Sequence, residues 1–373
     1  MSTTTVPTID VATLTSWLAQ NHPFTMLDVR PTDQRREWSI PGSIHIDAAE
    51  ALWADRPEVL DNLVLPRNVP VVTICAAGKT SLLAADYLQT QGYHALSLEG
   101  GMQAWSLAWN YAVLPLAGSA AQVIQVRRLG KGCLSYVLGS DGLAAVIDPS
   151  LPAHVYRELA HTYGWRITHV LETHIHADHL SRARRLADLA GAQLFLPEQG
   201  RVSFSASQVS GGASIALGES RLEVLATPGH TGESISYLLD GRALFTGDTL
   251  SLGGVGRPDL AQDAGGARRQ SSQLYASLQE LLKLPDGTIV LPAHTGEPIG
   301  YDGKPIARAL GELRGQFSDL RLSEEAFVER VLARLPAVPA NYLTIIKLNE
   351  AGECPEHESG SLEVGANRCA VAA

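Results

Sequence analysis

The sequence Thr173-His174-Ile175-His176-Ala177-Asp178-His179 places three histidines and a carboxylate within seven residues. Imidazole and carboxylate groups at this density are typical of a loop that brings several ligands to a metal ion. The apolar, β-branched run over 167–173 predicts a buried strand before the motif, and the run over 180–190 has the spacing of a helix with one charged face. We therefore place the motif on the turn at the carboxyl end of a strand, where open α/β layers keep their sites.

Three later stretches repeat this arrangement of a strand followed by a ligand-type residue. The strands predicted at 221–226, 243–246 and 288–291 are followed by His230, Asp248 and His294, respectively. Glycine or proline stands beside each of them, which lets the backbone turn sharply. Each apolar run therefore delivers one ligand-type residue to a strand end.

This ordered set resembles the ligand positions of the metallo-β-lactamase superfamily, over about the last two-thirds of the chain. The matching positions are His174, His176, Asp178, His179, His230, Asp248 and His294. The resemblance implies an αββα sandwich with a metal at one rim.

Length and composition predict a second unit. A chain of 373 residues is long enough for two domains with separate cores. The formal net charge of -10 argues against nucleic acid or an acidic membrane as a partner. No apolar run reaches the length of a membrane span, and the first ten residues lack a secretory signal. Four scattered cysteines do not form a disulfide framework, so we expect a cytoplasmic protein with reduced thiols.

A cysteine stands between a strand and a helix in the first third of the chain. The β-branched run over 71–74 predicts a buried strand that ends at Cys75. A glycine-containing loop, a helix through Gln91 and a strand over 95–98 follow, which together form a βαβ unit. Loop amides and the helix dipole favour a thiolate at this position and can hold an anion such as thiosulfate. Taken by itself, a cysteine after a hydrophobic strand is more often a small, inert core residue.

The segment around Cys75 resembles a rhodanese domain. The matching pieces are 27–30 (Leu-Asp-Val-Arg), 40–43 (Ile-Pro-Gly-Ser), the Cys75 loop and 98–105 (Leu-Glu-Gly-Gly-Met-Gln-Ala-Trp). The resemblance implies a three-layer α/β domain in which Cys75 is the nucleophile that carries a persulfide. Gly78, Lys79 and Thr80 would complete its loop. Many family loops have arginine directly after the cysteine, and Ala76 stands there in this chain.

We accordingly assign residues 1–112 to a rhodanese-like sulfurtransferase domain and 113–121, where small residues lack periodicity, to a linker. Residues 122–373 are assigned to the metal domain, with a helical C-terminal extension after Asp302. We interpret Cys133 as a structural core residue. Cys354 and Cys369 lack partner histidines at zinc-site spacing, and we do not assign them to a metal site.

The motif permits two different metal chemistries. Two zinc ions with a bridging hydroxide would hydrolyse an ester or thioester. A single non-haem Fe(II), held by two histidines and one carboxylate, would leave positions open for O₂ and a sulfur substrate. Ligand identity alone does not decide between them.

The Gly-Arg-Pro-Asp sequence at 256–259 resembles the persulfide dioxygenase branch of the superfamily, whereas glyoxalase II relatives tend to carry Phe-Glu after that Gly-Arg. The resemblance implies one Fe(II) per chain bound by His174, His230 and Asp248. It places Arg257 at a glutathione carboxylate, which a guanidinium can clamp with two hydrogen bonds. The other motif residues, His176, Asp178, His179 and His294, would orient water and the ligands or hold a second metal.

The two resemblances together imply a bifunctional enzyme of sulfur metabolism. The metal domain would oxidise glutathione persulfide with O₂ and water to sulfite and glutathione, and Cys75 would exchange sulfane sulfur with thiosulfate, in either direction. The alternative is a zinc-dependent hydroxyacylglutathione hydrolase of glyoxalase II type with a regulatory or passenger rhodanese domain. Either interpretation implies small-molecule substrates, with glutathione as co-substrate. A homodimer is compatible with both.

Overall fold

The computed structural model describes residues 6–260, 264–338, 340–355, 359–365 and 367–372. Within them, no helix combines the length and the apolar character needed to cross a lipid bilayer.

The first domain is a parallel sheet between two helical layers. Its strands are β1 (Thr8–Ile9), β2 (Thr25–Asp28), β3 (Ile44–His45), β4 (Val71–Ile74) and β5 (Ala95–Leu98), in the order β1-β5-β4-β2-β3. Its helices are α1 (Val11–Ala19), α2 (Thr32–Glu37), α3 (Ala49–Trp53), α4 (Thr80–Thr90) and α5 (Gly101–Trp105), with a 3₁₀ turn at Pro57–Leu60. All four residues of β4 are buried, as its β-branched sequence predicts.

Two separate apolar clusters cover the faces of this sheet. Leu52 of α3 and Leu88 of α4 pack on one face. Leu14 of α1 and Trp105 of α5 pack on the other. The three-layer α/β prediction for the first domain is confirmed.

The second domain contains two larger sheets. The strands of the first of these sheets are β6 (Trp109–Leu114), β7 (Gln122–Arg128), β8 (Leu134–Ser140), β9 (Leu143–Ile147), β10 (Arg166–Leu171), β11 (Gln193–Pro197) and β12 (Ser207–Val209), which pair in sequence order. Those of the other sheet are β13 (Ser214–Leu217), β14 (Ser220–Ala226), β15 (Ile235–Leu239), β16 (Ala243–Gly247), β18 (Ile289–Pro292) and β19 (Arg308–Ala309), again in chain order. Outside both lies a short antiparallel pair, β17 (Gly254–Gly256) with β20 (Ala370–Ala372).

The main core fills the space between the two larger sheets. Tyr136 of β8 and Phe245 of β16 meet there edge to face, with ring centroids 4.8 Å apart. Helices cover the outer face of each sheet, because every sheet must bury both apolar sides. They are α6 (Ala153–Thr162) and α7 (Ala183–Ala190) on one side, and α8 (Ala264–Leu281), α9 (Leu310–Gln316) and α10 (Glu324–Ala333) on the other, followed by α11 (Tyr342–Ala351) and α12 (Ser359–Leu362). The αββα prediction is confirmed.

Two sequence-based assignments need correction. The linker predicted over 113–121 begins too early, because Trp109–Leu114 is strand β6, which pairs antiparallel with β7 and extends the sheet of the second domain. The C-terminal extension is not helical throughout. It returns to the body of the domain as strand β20, since the backbone of Ala370 to Ala372 completes the hydrogen bonding of β17.

Candidate metal centre and cysteine loop

Strand ends position the metal-ligand motif. The chain leaves β10 at Leu171 and enters a loop that carries His174. Asp248 directly follows β16, whose last residue Gly247 has a φ of +53° and would place a Cβ only 2.6 Å from the Thr173 hydroxyl. The glycine is therefore required for the close approach of the two strand ends.

His174, His230 and Asp248 form a compact group. The Nε2 atoms of the two histidines lie 3.7 Å and 3.5 Å from Oδ2 of Asp248. All three of these buried atoms lack a hydrogen-bond partner. Buried polar atoms are normally satisfied, and three unpartnered ligand atoms within 4.8 Å of one another are what a bound metal ion would satisfy. The group fits a metal.

The opposite side of each ligand is held by the protein. The Thr173 hydroxyl donates to Asp148 (2.8 Å) and lies 2.9 Å from Nδ1 of His174, which therefore donates to it. Nδ1 of His294 donates to Oδ1 of Asp248 at 2.5 Å. Hydrogen bonds of this kind fix the ring orientation and leave Nε2 free to face an ion.

Electrostatics favours the ligand forms of these groups. Burial lowers the pKa of His174 well below its ordinary value, and the neighbouring His176 and His230 act in the same direction. Its imidazole is therefore neutral. Burial alone would raise the pKa of Asp248, but the attraction and hydrogen bond of His294 outweigh it, so that the net shift is downward and the carboxylate is anionic.

A second group contains Cys133, Asp178, His179 and His294, whose ligand atoms also lie within 4.8 Å of one another. Cys133 Sγ is 3.5 Å from Asp178 Oδ2, and Nε2 of His294 is 2.9 Å from the same oxygen. Burial and Asp178 raise the pKa of the thiol, but His179 and His294 dominate and bring it down to about 6. The interpretation of Cys133 as a plain core residue therefore misses its position. Cys133 lies beside the motif because its backbone forms a β-bridge with that of His294, and the sequence does not reveal this pairing.

His176 belongs to a third group of possible ligands, with Asp148 and Glu172, although its ring lies 4.1 Å from that of His174 and 4.2 Å from that of His179. Its Nε2 is 3.1 Å from Glu172 and 3.3 Å from Asp148. Burial opposes its protonation, but the two carboxylates raise its pKa well above the ordinary value. Asp148 and Glu172 were not among the predicted site residues. Asp148 could have been predicted from the sequence, because it directly follows the buried strand β9. Strand β9 runs parallel to β10 and ends at the same edge of the sheet as the motif.

Arg257 cannot bind a substrate carboxylate in the way the sequence suggests. The residue is completely buried. Nε and Nη2 donate to the carboxylate of Asp259 at 2.8 Å and 2.9 Å. The remaining donors reach the backbone carbonyls of Pro336, Ala337 and Arg368. A guanidinium has five N–H groups, and all five are used within the protein. The prediction that Arg257 binds a glutathione carboxylate is therefore corrected.

The C-terminal segment closes over the motif. Glu363 is fully buried between Arg128 and Arg182, each 2.5 Å away, and accepts a hydrogen bond from the backbone N–H of Leu180. The side-chain amide of Asn367 donates to Asp178 at 2.8 Å. Residues far along the chain from the motif therefore fix the loop that carries it.

Cys369 also lies near the motif rather than outside it. Its thiol is buried, and its pKa is raised well above the ordinary value by burial first and then by the charges of Asp178 and Asp248. Its backbone carbonyl accepts from the N–H of Arg257.

The Cys75 loop has the predicted strand-loop-helix geometry. Cys75 is 3% exposed, and its sulfur lies 3.2 Å from the Ser81 hydroxyl. Ser97 donates to Ser81 (2.8 Å), so the Ser81 proton is directed at the sulfur. Gly78 has a φ of +79°, and a Cβ there would lie 2.8 Å from the N atom of Gly100. This glycine is therefore needed for the loop to pack against its neighbour.

The other predicted loop residues form the start of the helix. Lys79 is exposed and directly precedes α4, and the Thr80 hydroxyl accepts from the indole N–H of Trp53 at 3.0 Å. Ser81 received no role in the sequence analysis, although its hydroxyl lies 3.2 Å from the sulfur of Cys75.

Comparison with known proteins agrees with both halves of this architecture. Residues 10–108 match the rhodanese-like domain, and residues 129–294 match the metallo-beta-lactamase superfamily. The hydroxyacylglutathione hydrolase of Methylobacillus flagellatus is 33% identical over 230 residues, which are 60% of this chain and 84% of that protein. The chain belongs to the metallo-beta-lactamase superfamily. It carries a rhodanese-like domain before the superfamily domain.

Members of the superfamily with another activity are equally similar. The persulfide dioxygenase ETHE1 of Bos taurus is 32% identical over 244 residues, covering 60% of this chain and 89% of that protein. The crystal structure of ETHE1 from Myxococcus xanthus aligns with a TM-score of 0.51 and 30% identity, over 66% of this chain and 100% of that one. Similarity therefore establishes the superfamily and leaves the reaction to be inferred from the site.

Proposed function

We propose that the metal domain is a persulfide dioxygenase that holds one ferrous iron with His174, His230 and Asp248. One observation carries this proposal. These three residues form a two-histidine, one-carboxylate group, while Nε2 of His176 contacts Glu172 and Asp148 instead. That ligand set is typical of non-haem Fe(II) oxygenases, which need open positions for O₂ and a second substrate.

The bound iron would supply the O₂ chemistry that protein side chains lack. The protein would keep His174 neutral and Asp248 anionic, through the burial and hydrogen bonding described above. His294 would hold Asp248 in place by donating to its second oxygen. The net reaction is that glutathione persulfide, O₂ and water give glutathione and sulfite.

The rhodanese-like domain would carry sulfane sulfur on Cys75. The thiolate attacks the outer sulfur of thiosulfate, the S–S bond of thiosulfate breaks with its electron pair leaving on sulfite, and Cys75 becomes a persulfide. The Ser81 hydroxyl, 3.2 Å from the sulfur, would stabilise the thiolate by donating to it. The reverse reaction forms thiosulfate from sulfite, and the arrangement of the loop supports both directions.

A second candidate, a zinc-dependent hydroxyacylglutathione hydrolase, is favoured by the group around Cys133. With Asp178, His179 and His294 it supplies four ligand atoms of the types that zinc prefers. Two ions in adjacent groups would activate water for thioester hydrolysis.

Metal analysis and activity distinguish the two candidates. For protein purified without oxygen, we expect about one iron per chain and oxygen uptake with glutathione persulfide. In the Cys133→Ser variant, iron content and oxygen uptake should remain, because Cys133 lies outside the proposed iron group. Two tightly bound zinc ions, no oxygen uptake and rapid hydrolysis of S-lactoylglutathione would instead establish the hydrolase.

A further inference from the structure

The turn that joins β7 to β8 is wedged between the two domains. A Cβ on Gly130 would lie 2.1 Å from the carbonyl oxygen of Trp105 in the first domain. A Cβ on Gly132, whose φ is +83°, would lie 2.4 Å from the carbonyl oxygen of Thr295 beside the metal motif. Only glycine fits at both positions. The residue between them, Lys131, is consequently fixed at the junction of the domains.

Lys131 is a buried cation without a carboxylate partner. Its side chain is buried, with 8% of the residue exposed, and its ammonium donates to the carbonyl of Gly365 at 3.2 Å. Among the described residues, no Asp or Glu oxygen lies within ion-pair distance of it. Buried lysines are ordinarily paired. An ammonium has three donors, so Lys131 can accept an anionic ligand.

Two cavities between the domains share Lys131. Their volumes are about 340 Å³ and 480 Å³, within the range of small-molecule sites. The smaller cavity contacts Ala76, the residue after Cys75, on one side and Asp178 of the metal motif on the other. It therefore lies between the Cys75 loop and the metal-ligand motif.

The other charges of the smaller cavity are compensated. Arg30 pairs with Asp28 at 2.6 Å, and Arg368 pairs across the domains with Glu37 at 2.5 Å. Asp178 faces His294 at 2.9 Å. Among the described lining residues of this cavity, the charge of Lys131 is the one left without an opposite charge beside it.

We propose that this inter-domain cavity binds a small sulfur oxyanion, sulfite or thiosulfate, with Lys131 as its counter-charge. The identity of the anion rests on the proposed function, because sulfite is the product of the oxygenase and the partner of Cys75. In that exchange the Cys75 persulfide transfers its outer sulfur to sulfite. The persulfide S–S bond breaks, a new S–S bond forms in thiosulfate, and the electron pair of the broken bond stays on the Cys75 thiolate. A sulfite held in the cavity need not leave the protein between the two reactions.

Calorimetric titration of the metal-loaded, full-length Cys75→Ser protein tests the site without turnover. Sulfite and thiosulfate are titrated separately, so that the two anions are distinguished. In this background, Lys131→Gln should weaken binding by about tenfold, or about 1.4 kcal/mol, and Lys131→Arg should retain it. The matched control is Lys283→Gln just after α8, where the lysine is exposed and forms an ion pair with Glu280 on the surface. Lys131→Met is a second charge-free variant that keeps the apolar stem.

If the Lys131→Gln and Lys131→Met proteins bound the anions as tightly as the Cys75→Ser parent does, the proposal would be overturned, as it would be by the absence of millimolar binding for both anions. Both variants lose the hydrogen bond to the Gly365 carbonyl but no ion pair with a described residue, so we expect only a small decrease in their unfolding temperature. The binding test is independent of the oxygenase. Lys131-dependent binding together with no oxygen uptake would retain the anion site and reject the dioxygenase, and the opposite pair of results would do the reverse.

Discussion

Nδ1 of His230 donates a hydrogen bond of 2.8 Å to the backbone carbonyl of Arg257. The contact is close because Gly256 leaves no side chain between them, and a Cβ there would lie 2.8 Å from that of His230. The orientation of a proposed iron ligand therefore depends on an arginine whose own side chain is fully buried in contacts with the C-terminal segment. Arg257 acts as a positioning residue rather than a substrate clamp.

Replacing Arg257 should affect stability and metal retention before it affects substrate affinity. Arg257→Ala leaves Asp259 and three carbonyls without their donor, and breaking a buried ion pair costs about 3–5 kcal/mol of unfolding free energy. We expect that loss in chemical denaturation and a lower iron content. Arg221→Ala is the control, because Arg221 is exposed and pairs only with Glu223. If Arg257→Ala had wild-type stability and a raised KM for glutathione persulfide, Arg257 would instead be a substrate-binding residue.

Removing the carboxylate ligand should separate the two activities. Asp248→Asn lacks the anionic ligand, and we expect the affinity for iron to fall by about tenfold or more and iron content to fall with it, because even loss of a ligand's hydrogen-bond partner weakens metal binding that much. Oxygen uptake should fall with it, and sulfur transfer from thiosulfate should continue. Full iron content in this variant, measured by elemental analysis, would exclude Asp248 from the metal group.

Cys75→Ser should give the opposite pattern. A serine hydroxyl cannot carry persulfide sulfur, so transfer from thiosulfate should fall to background while oxygen uptake with pre-formed glutathione persulfide stays near wild type. Both rates are measured on the same preparation, with Ser106→Ala as a control for a substitution elsewhere in the domain. If Cys75→Ser alone abolished oxygen uptake, the two sites would not be independent.

The buried carboxylate of Glu363 should make stability depend on pH in acid. Burial would raise its pKa, but Arg128 and Arg182 dominate and lower it to about 2, from 4.5 in the unfolded chain. The native state therefore binds the proton more weakly, and stabilisation on the order of 3 kcal/mol is present above about pH 4.5 and is lost as pH falls toward 2. The stability gap between wild type and Glu363→Gln should narrow over that range in denaturant titrations. A pH-independent gap would show that Glu363 is not an ionised partner of the two arginines.

The sequence predicted the candidate ligands that follow strand ends and missed the residues that reach the same place through long-range pairing. His174, His230 and Asp248 each follow an apolar run, and such runs end at one rim of a layered fold. Cys133 and Cys369 reach the motif through a backbone bridge and a returning tail, neither of which leaves a local pattern. For Arg257, the Gly-Arg-Pro-Asp sequence was noted, but the backbone carbonyls that accept from its side chain lie 79 to 111 residues further along the chain. Local sequence cannot distinguish an arginine that meets substrate from one that meets a distant backbone.

The antiparallel pairing of Gly254–Gly256 with Ala370–Ala372 has a consequence for the order of events during synthesis. The rhodanese-like sheet closes with residues that precede Trp109, so that domain can fold while the rest is still being translated. The metal centre cannot, because Glu363, Asn367 and the strand that braces Arg257 leave the ribosome more than a hundred residues after His230. A nascent chain therefore has a complete rhodanese-like domain before its candidate metal centre is finished, and a stalled ribosome would release the first domain without the second.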